Sequence, residues 1–360
     1  MAYMTGGEIV AEYLIREGVP YVVGIPGHGC LGLVDAFRKR QDEVQVIQVR
    51  HEQAAVHLAD GYYRVRHAPL AVFTSIGPGA INTAVGVATA YVDSMAVLVL
   101  TANAHTYMKG RGVLQEIERS RWGDFPHILE PILKRYWAIE RVEQLPRVLP
   151  RAFNLMLTGR PGPVLIDLPM DVQCDATDVD LATLVPRRPV GRTGGDPEQI
   201  EAAANVLSQA RRPVILAGGG VVASRAFDEL QALAEHLGAA VITTMMGKSA
   251  LPEDHPLYCW HAGSKGTTVG NAIARSADVL LAVGCRFADQ TTCSYRHGVA
   301  FSIPPTKLIQ VDIDPHEIGK NYPVEVGIVG DAKRVLAQLL KMAGPAQEYE
   351  SSDYFAEIQR

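Results

Sequence analysis

The chain has 360 residues, 48% of them hydrophobic and 20% charged, with a formal net charge of −5. That length accommodates two α/β domains, and the slight acidity excludes the basic surface a nucleic-acid binder needs. No run approaches the roughly 18–20 consecutive apolar residues of a membrane span, and the amino end carries Glu8 and Glu12 without the basic region of a signal peptide. The five cysteines (Cys30, Cys174, Cys259, Cys285, Cys293) are scattered and form no CxxC pair. They predict a reducing, cytoplasmic setting and neither a disulfide framework nor a metal site.

In chain order, "GGEIVAEYLIREG" (6–18) has helical apolar spacing and stops at a glycine. "YVVGIPG" (21–27), "VQVIQV" (44–49), "LAVFTSIGPG" (70–79), "MAVLVLTA" (95–102) and "GPVLIDLP" (162–169) are short Val/Ile/Leu-rich runs, separated by helical stretches at 52–66 and 80–92. Continuous apolar strands alternating with helices predict a parallel sheet covered on both faces. Residues 174–199 are rich in turn formers and charges and lack periodicity. Alternation then resumes, with helical patterns at 198–210, 224–238, 268–277 and 331–344 and strands at 212–220, 239–246, 278–285 and 307–314. The predicted fold class is therefore α/β, with two doubly wound parallel-sheet domains. They span 1–175 and 193–345, joined by a linker over 176–192 and followed at 346–360 by a polar tail or the start of a linker to a further domain.

Ligands of open parallel sheets sit beyond the carboxyl ends of strands. Four such ends here are glycine-rich: 24–29, 74–82, 217–221 and 284–289. Glycine lets backbone approach a ligand closely, although tight turns need it as well. Neither GxGxxG in the first βα turn nor GxxxxGK[ST] is present. Glu52 opens the helix after "VQVIQV", flanked by His51 and Gln53. An acid in a first turn favours the helix dipole, so on spacing alone Glu52 reads as a dipole partner, His51 as a surface residue and Gln53 as a cap partner.

Taken together, the motifs resemble the amino-terminal two thirds of a thiamine-diphosphate enzyme of the acetolactate synthase-like family. "RHEQAAVHLADGYYR" is similar to the family's glutamate helix, "TSIGPGAIN" to its TSGPGATN-type loop, and "LQEI" to its Phe-Gln-Glu segment. "GRPGPVLIDLPMDVQ" resembles the close of the pyrimidine-binding domain, and "AGGGV", "GCRFADQ" and "VDIDPHEIGKN" the middle domain. The resemblance implies that Glu52 faces N1′ of the cofactor's aminopyrimidine, in a dry pocket that favours a shared proton. It also implies catalytic roles for Gln115, near the thiazolium, and for His28, after "PG", where relatives vary with substrate. Lys134 resembles a substrate-facing lysine, 19 residues beyond Gln115 because "RSRWGDF" looks inserted. Pro26, Gly27, Thr74 and Asn82 fall on cofactor-binding positions.

For the middle domain the resemblance implies FAD or ADP at Gly219, Gly220, Gly263, Gly284, Arg286, Asp312 and Asp331. In that role amides at Gly219–Gly220 approach a pyrophosphate, Arg286 pairs with phosphate and Asp312 accepts from ribose. The sequence departs from the family pattern at Ala288, Gln290 and Lys265, and Leu114 replaces the usual Phe. The family holds Mg²⁺ and the diphosphate through a Gly-Asp-Gly motif, which this sequence lacks. The expectation is a chain that shares thiamine diphosphate with a missing domain, as a split subunit or a fragment. It self-associates as a homodimer or tetramer and acts, in that assembly, on a 2-oxo acid such as pyruvate. Two alternatives stay open. "GHGCLGL" resembles a loop of trihydroxycyclohexanedione hydrolases, implying C–C bond hydrolysis of a cyclic diketone, and a non-catalytic nucleotide-binding subunit is the other.

Overall fold

The computed structural model describes residues 1–117, 124–346 and 348–359 and divides into two units, Met1–Val190 and Gly191–Arg360. In the first, β1 (Ala2–Thr5), β2 (Tyr21–Gly24), β3 (Gln45–Gln48), β4 (Ala71–Thr74), β5 (Leu98–Asn103), β6 (Arg135–Ala138), β7 (Val164–Pro169) and β8 (Ala176–Val179) appear in chain order. Six of them form a parallel sheet in the order β3-β2-β4-β5-β7-β6. Strands β4, β5 and β7 are buried along their whole length, because helices cover both faces, while the edge strands β3 and β6 are mostly exposed. Within this apolar layer Asp167 of β7 is fully buried, and it accepts from Thr101 Oγ1 (2.9 Å) and Asn103 Nδ2 (2.8 Å) of β5. Those bonds pin the register of the two strands, as a buried carboxylate requires partners.

The helix Gly6–Arg16 begins with a capping box between Thr5 and Glu8. Helix Glu52–Arg66 packs against helix Ala84–Asp93, and each ends on a left-handed residue, His67 and Ser94.

The segment expected to begin a linker at 176 instead supplies β8, paired antiparallel with β1 from Ala2↔Val179 to Thr5↔Ala176. Its four residues have one fully buried side chain, Val179, so no apolar run announces them. Beyond β8, Leu184 is buried and Arg16 donates to the carbonyls of Leu181 (2.7 Å) and Leu184 (3.0 Å).

The second unit contains β9 (Pro213–Ala217), β10 (Ala240–Thr243), β11 (Tyr258–His261), β12 (Val279–Val283), β13 (Lys307–Asp312) and β14 (Val326–Val329), all parallel in the order β11-β10-β9-β12-β13-β14. Each unit is thus a doubly wound α/β domain. The stretch after 345, expected to be a polar tail, includes a helix, Asp353–Ile358. Tyr349, Phe355 and Ile358 pack on the core, and Arg212 holds Glu357 in a two-bond ion pair (2.7 and 2.6 Å). Polar residues dominate the tail, but three well-spaced apolar ones suffice to dock it.

Candidate active site

A doubly wound sheet has a crevice where neighbouring strands send their connections in opposite directions. In the first unit that point lies between β2, which leads outward to β3, and β4, which leads to β5. The loops after both strands meet there. A Cβ on Gly27 would stand 2.6 Å from Ser75 Oγ, and Gly29 donates its N–H to the same hydroxyl at 3.4 Å. Beneath them Cys30 is buried, its Sγ accepting from Gly27 N–H at 3.3 Å, and burial pushes its thiol pKa up. Gln173 Nε2 fastens the carbonyl of Gly29 at 2.8 Å. Pro26 and His28 remain exposed on this fixed loop.

Glu52 is the first residue of its helix. His51 is the N-cap, its Nδ1 accepting from Gln53 N–H at 3.2 Å, so the capping duty falls to the histidine. The Glu52 side chain is free to point elsewhere. It is only 8% exposed, and Asn82 Nδ2 donates to its Oε2 at 2.9 Å. Its Oε1 faces Gly79, where an added Cβ would stand 3.0 Å away. A dipole role alone does not require that a helix acid be buried against a second loop; a carboxylate that holds a ring nitrogen does.

Gln115 reaches the same turn from the other side. It has a left-handed backbone, φ +65°, and an exposed side chain. Gly77, also left-handed at φ +56°, lies so close that any Cβ there would strike the Gln115 carbonyl. Two residues apart in one turn, Gly77 therefore touches Gln115 and Gly79 touches Glu52. An open cavity of about 530 Å³ lies over Pro78 and the loop from Gly112 to Ile117. The neighbouring carboxylate, Glu116, is buried and accepts backbone N–H groups from Gly110, Gly112 and Val113 (2.5, 3.0 and 3.1 Å). Sequence reasoning passed over Glu116 and the bridging pair Gly77 and Gly79. The adjacent Gln-Glu in "LQEI" and the GPG triplet were the available signals. It placed Asn82 at the cofactor without seeing that its amide secures Glu52.

Other expected positions stand elsewhere. Lys134 turns away from this group. Its ammonium donates to the carbonyls of Leu155 (2.5 Å), Thr158 (2.9 Å) and Arg160 (2.7 Å), at the end of helix Leu145–Leu157. Helix carbonyls lack internal partners there and attract a cation. Residues 119–123 of the inserted-looking segment lie outside the described residues. Thr74 is fully buried, its hydroxyl donating to Ser75 O at 2.9 Å, so it shapes the loop from below.

In the second unit the switch point lies between β9 and β12, and Gly219, Gly220, Gly284, Arg286 and Asp312 do collect at neighbouring strand ends. Of the two amides implied for a pyrophosphate, that of Gly220 donates its N–H to the Gly284 carbonyl at 3.1 Å. A Cβ on Gly220 would stand 2.6 Å from Gly284 Cα, so these glycines serve contact between two strand ends. Gly263 N–H goes to Asn271 Oδ1 at 2.9 Å, and Asp312 Oδ1 accepts from Asp314 N–H at 3.0 Å. Asp331 caps helix Ala332–Met342 through Arg334 N–H (3.2 Å) and pairs with Arg192 at 2.8 Å. Among the described residues no cluster of three or more His, Cys, Asp or Glu side chains is placed to hold a metal, and no helix is long and apolar enough to cross a membrane.

Comparison with known proteins decides the family. Residues 4–122 match the thiamine pyrophosphate enzyme, N-terminal TPP binding domain, and residues 200–339 match the thiamine pyrophosphate enzyme, central domain. The chain belongs to the thiamine pyrophosphate enzymes. Among its relatives, a probable acetolactate synthase large subunit of Methanocaldococcus jannaschii is 43% identical over 342 residues, 94% of this chain and 56% of that protein. Acetolactate synthase isozyme 3 large subunit of Escherichia coli is 35% identical, covering 98% of this chain and 60% of its own length. The Corynebacterium glutamicum large subunit is 36% identical, with 97% and 54% covered. The chain thus spans little more than half the length of these relatives. Glu52 lies within the matched N-terminal domain of this family.

Proposed function

We propose that this chain supplies the pyrimidine-binding half of an acetolactate synthase-like, thiamine-diphosphate-dependent carboligase or decarboxylase acting on a 2-oxo acid such as pyruvate. The observation that carries the reading is the buried Glu52 carboxylate, tied to Asn82 and joined to Gln115 through the Gly77–Gly79 turn. The residues fit the cofactor: Glu52 is a desolvated acid, with one oxygen secured by an amide and the other beside a glycine that carries no side chain to cover it. When bound, thiamine diphosphate supplies a stabilised carbanion that attacks and cleaves bonds next to a carbonyl.

This chain's part is to place protons and exclude water. Glu52 would share a proton with a ring nitrogen of the bound cofactor, Asn82 keeps the carboxylate from rotating, and a dry site would strengthen that hydrogen bond. The exposed Gln115 amide and His28 ring are the polar groups presented to the substrate, with His28 the residue that selects its class. The Gly-Asp-Gly diphosphate and Mg²⁺ site belongs to another domain, on the same polypeptide or a partner. An assembly is supported by Leu58, Val65, Val85 and Val92, exposed apolar side chains on the two packed helices nearest Glu52 and Asn82. Homodimers or tetramers are the forms we expect. FAD or ADP in the second unit is supported by the placement of Gly284, Arg286 and Asp312 at neighbouring strand ends, and a flavin absorbance spectrum of the purified protein tests it.

The experiment is to combine the chain with a protein carrying the Gly-Asp-Gly domain, add thiamine diphosphate and Mg²⁺, and follow pyruvate consumption. Turnover is expected; no turnover with pyruvate or any other 2-oxo acid overturns the reading. Hydrolysis of a cyclic diketone would transfer the assignment to the hydrolase chemistry.

A further inference from the structure

The segment that presents Gln115 has no regular secondary structure of its own over 109–117, yet its backbone is held closely. One carboxylate does this. Glu116, 8% exposed, turns back over its own loop and accepts three backbone N–H groups, from Gly110, Gly112 and Val113. Gly110 and Gly112 are left-handed (φ +75° and +80°), a conformation that side chains rarely adopt and that aims successive amides inward. Hydrogen bonds to an ionised acceptor are roughly twice as strong as neutral ones. The next residue back is Gln115, itself left-handed and stopped against Gly77. The backbone that presents the exposed Gln115 side chain is thus held from two directions: Glu116 gathers the loop before it, and the Gly77 turn lies against its carbonyl.

We infer that Glu116 is a positioning residue for Gln115, acting by gathering the amides of Gly110, Gly112 and Val113 rather than by touching cofactor or substrate. The inference rests on the proposed function only for the meaning of Gln115. The positioning itself is a property of the chain alone.

The test uses the full chain and the variants Glu116→Gln, Gln115→Ala and their combination. Glu116→Gln keeps the shape but turns an NH₂ group toward backbone donors. In wild-type protein the Gln115 side-chain amide, identified by its disappearance from the NMR spectrum in Gln115→Ala, should be displaced from the free-glutamine position. In Glu116→Gln it should collapse to that position, with the core resonances unmoved. Amide hydrogen exchange at 110–113 should accelerate at the same time. In the assembly with the diphosphate domain, Glu116→Gln should lower kcat by about ten- to a hundred-fold, the scale of a misplaced catalytic group. It should cost less than about two-fold when Gln115 is already alanine, since coupled residues are non-additive. An unchanged Gln115 resonance, or equal losses in both backgrounds, overturns the inference. If the assembly shows no turnover at all, the functional reading fails, and the resonance and exchange data alone decide the positioning role.

Discussion

The two units build the same sheet and use its switch point differently. In the first, Gly79 of the β4 loop presses against the Glu52 carboxylate, and Gly77 against the backbone carbonyl of Gln115, the residue that carries the exposed amide. In the second, Gly218, Gly220 and Gly284 press against one another's backbone, and the Gly220 amide is consumed by the Gly284 carbonyl. The lesson is that a glycine-rich strand end marks close approach without saying what approaches. The contact partner separates a loop built to present a reacting group from one built to pack.

Substitutions sharpen that difference. The largest loss of stability is expected in the second unit. Gly218→Ala drives a methyl into the backbone of Gly284 and Cys285, where neither neighbour is a flexible side chain. A loss of roughly 3 kcal/mol or more in denaturant unfolding is expected, in the range of severe overpacking. A loss below about 1 kcal/mol would show that the strand ends are not in tight contact. Gly77→Ala should cost less stability, about 1–3 kcal/mol for a strained left-handed alanine, because its methyl meets the carbonyl of a solvent-exposed loop and not the buried end of a strand. It should nevertheless reduce turnover more strongly than any substitution in the second unit. Equal activity losses from both glycines would erase the distinction between the units.

Lys134→Met tests a position that the resemblance assigned to substrate and the geometry assigns to a helix end. Removing the ammonium leaves three carbonyls without their donor. The expectation is about 1–3 kcal/mol of lost stability, with the KM for 2-oxo acid unchanged in the folded fraction. A raised KM with unaltered stability would return Lys134 to the substrate. Asp331→Ala has the smallest expected effect, about 1 kcal/mol from a lost N-cap, with no change in any nucleotide affinity measured by calorimetry. A selective loss of nucleotide binding would contradict the capping role.

Much of the fold was legible because strands buried along their whole length are dominated by apolar residues. Those that satisfy this, β4, β5, β7, β9 and β12, stand out in the sequence. The short edge strands β3 and β6 and the antiparallel β8 depend on one neighbour each, and β8 carries too few apolar residues to signal itself. In the candidate site, Glu52 and Gln115 could be named from their motifs. What motifs do not encode is the direction of a long side chain. Lys134 lies on the expected segment but folds back onto the end of a helix, and Glu116 sits one residue from Gln115 while its carboxylate serves the loop. The link between Asn82 and Glu52 spans 30 residues and needs the sheet to bring its ends together.

The central claim is that Glu52 is a proton-holding acid for a cofactor ring and not merely a first-turn dipole partner. The most direct measurement compares wild type with Glu52→Gln in the assembly containing the diphosphate-binding domain, thiamine diphosphate and Mg²⁺. Initial rates of pyruvate consumption are read beside circular dichroism and thermal unfolding. Glutamine keeps the size and the hydrogen bond from Asn82 but cannot hold the shared proton. The predicted result is a fall in turnover of at least about 10²-fold, the scale of a lost general acid or base, with the fold and melting behaviour unchanged. A Glu52→Gln protein that turns over pyruvate at the wild-type rate would contradict the account.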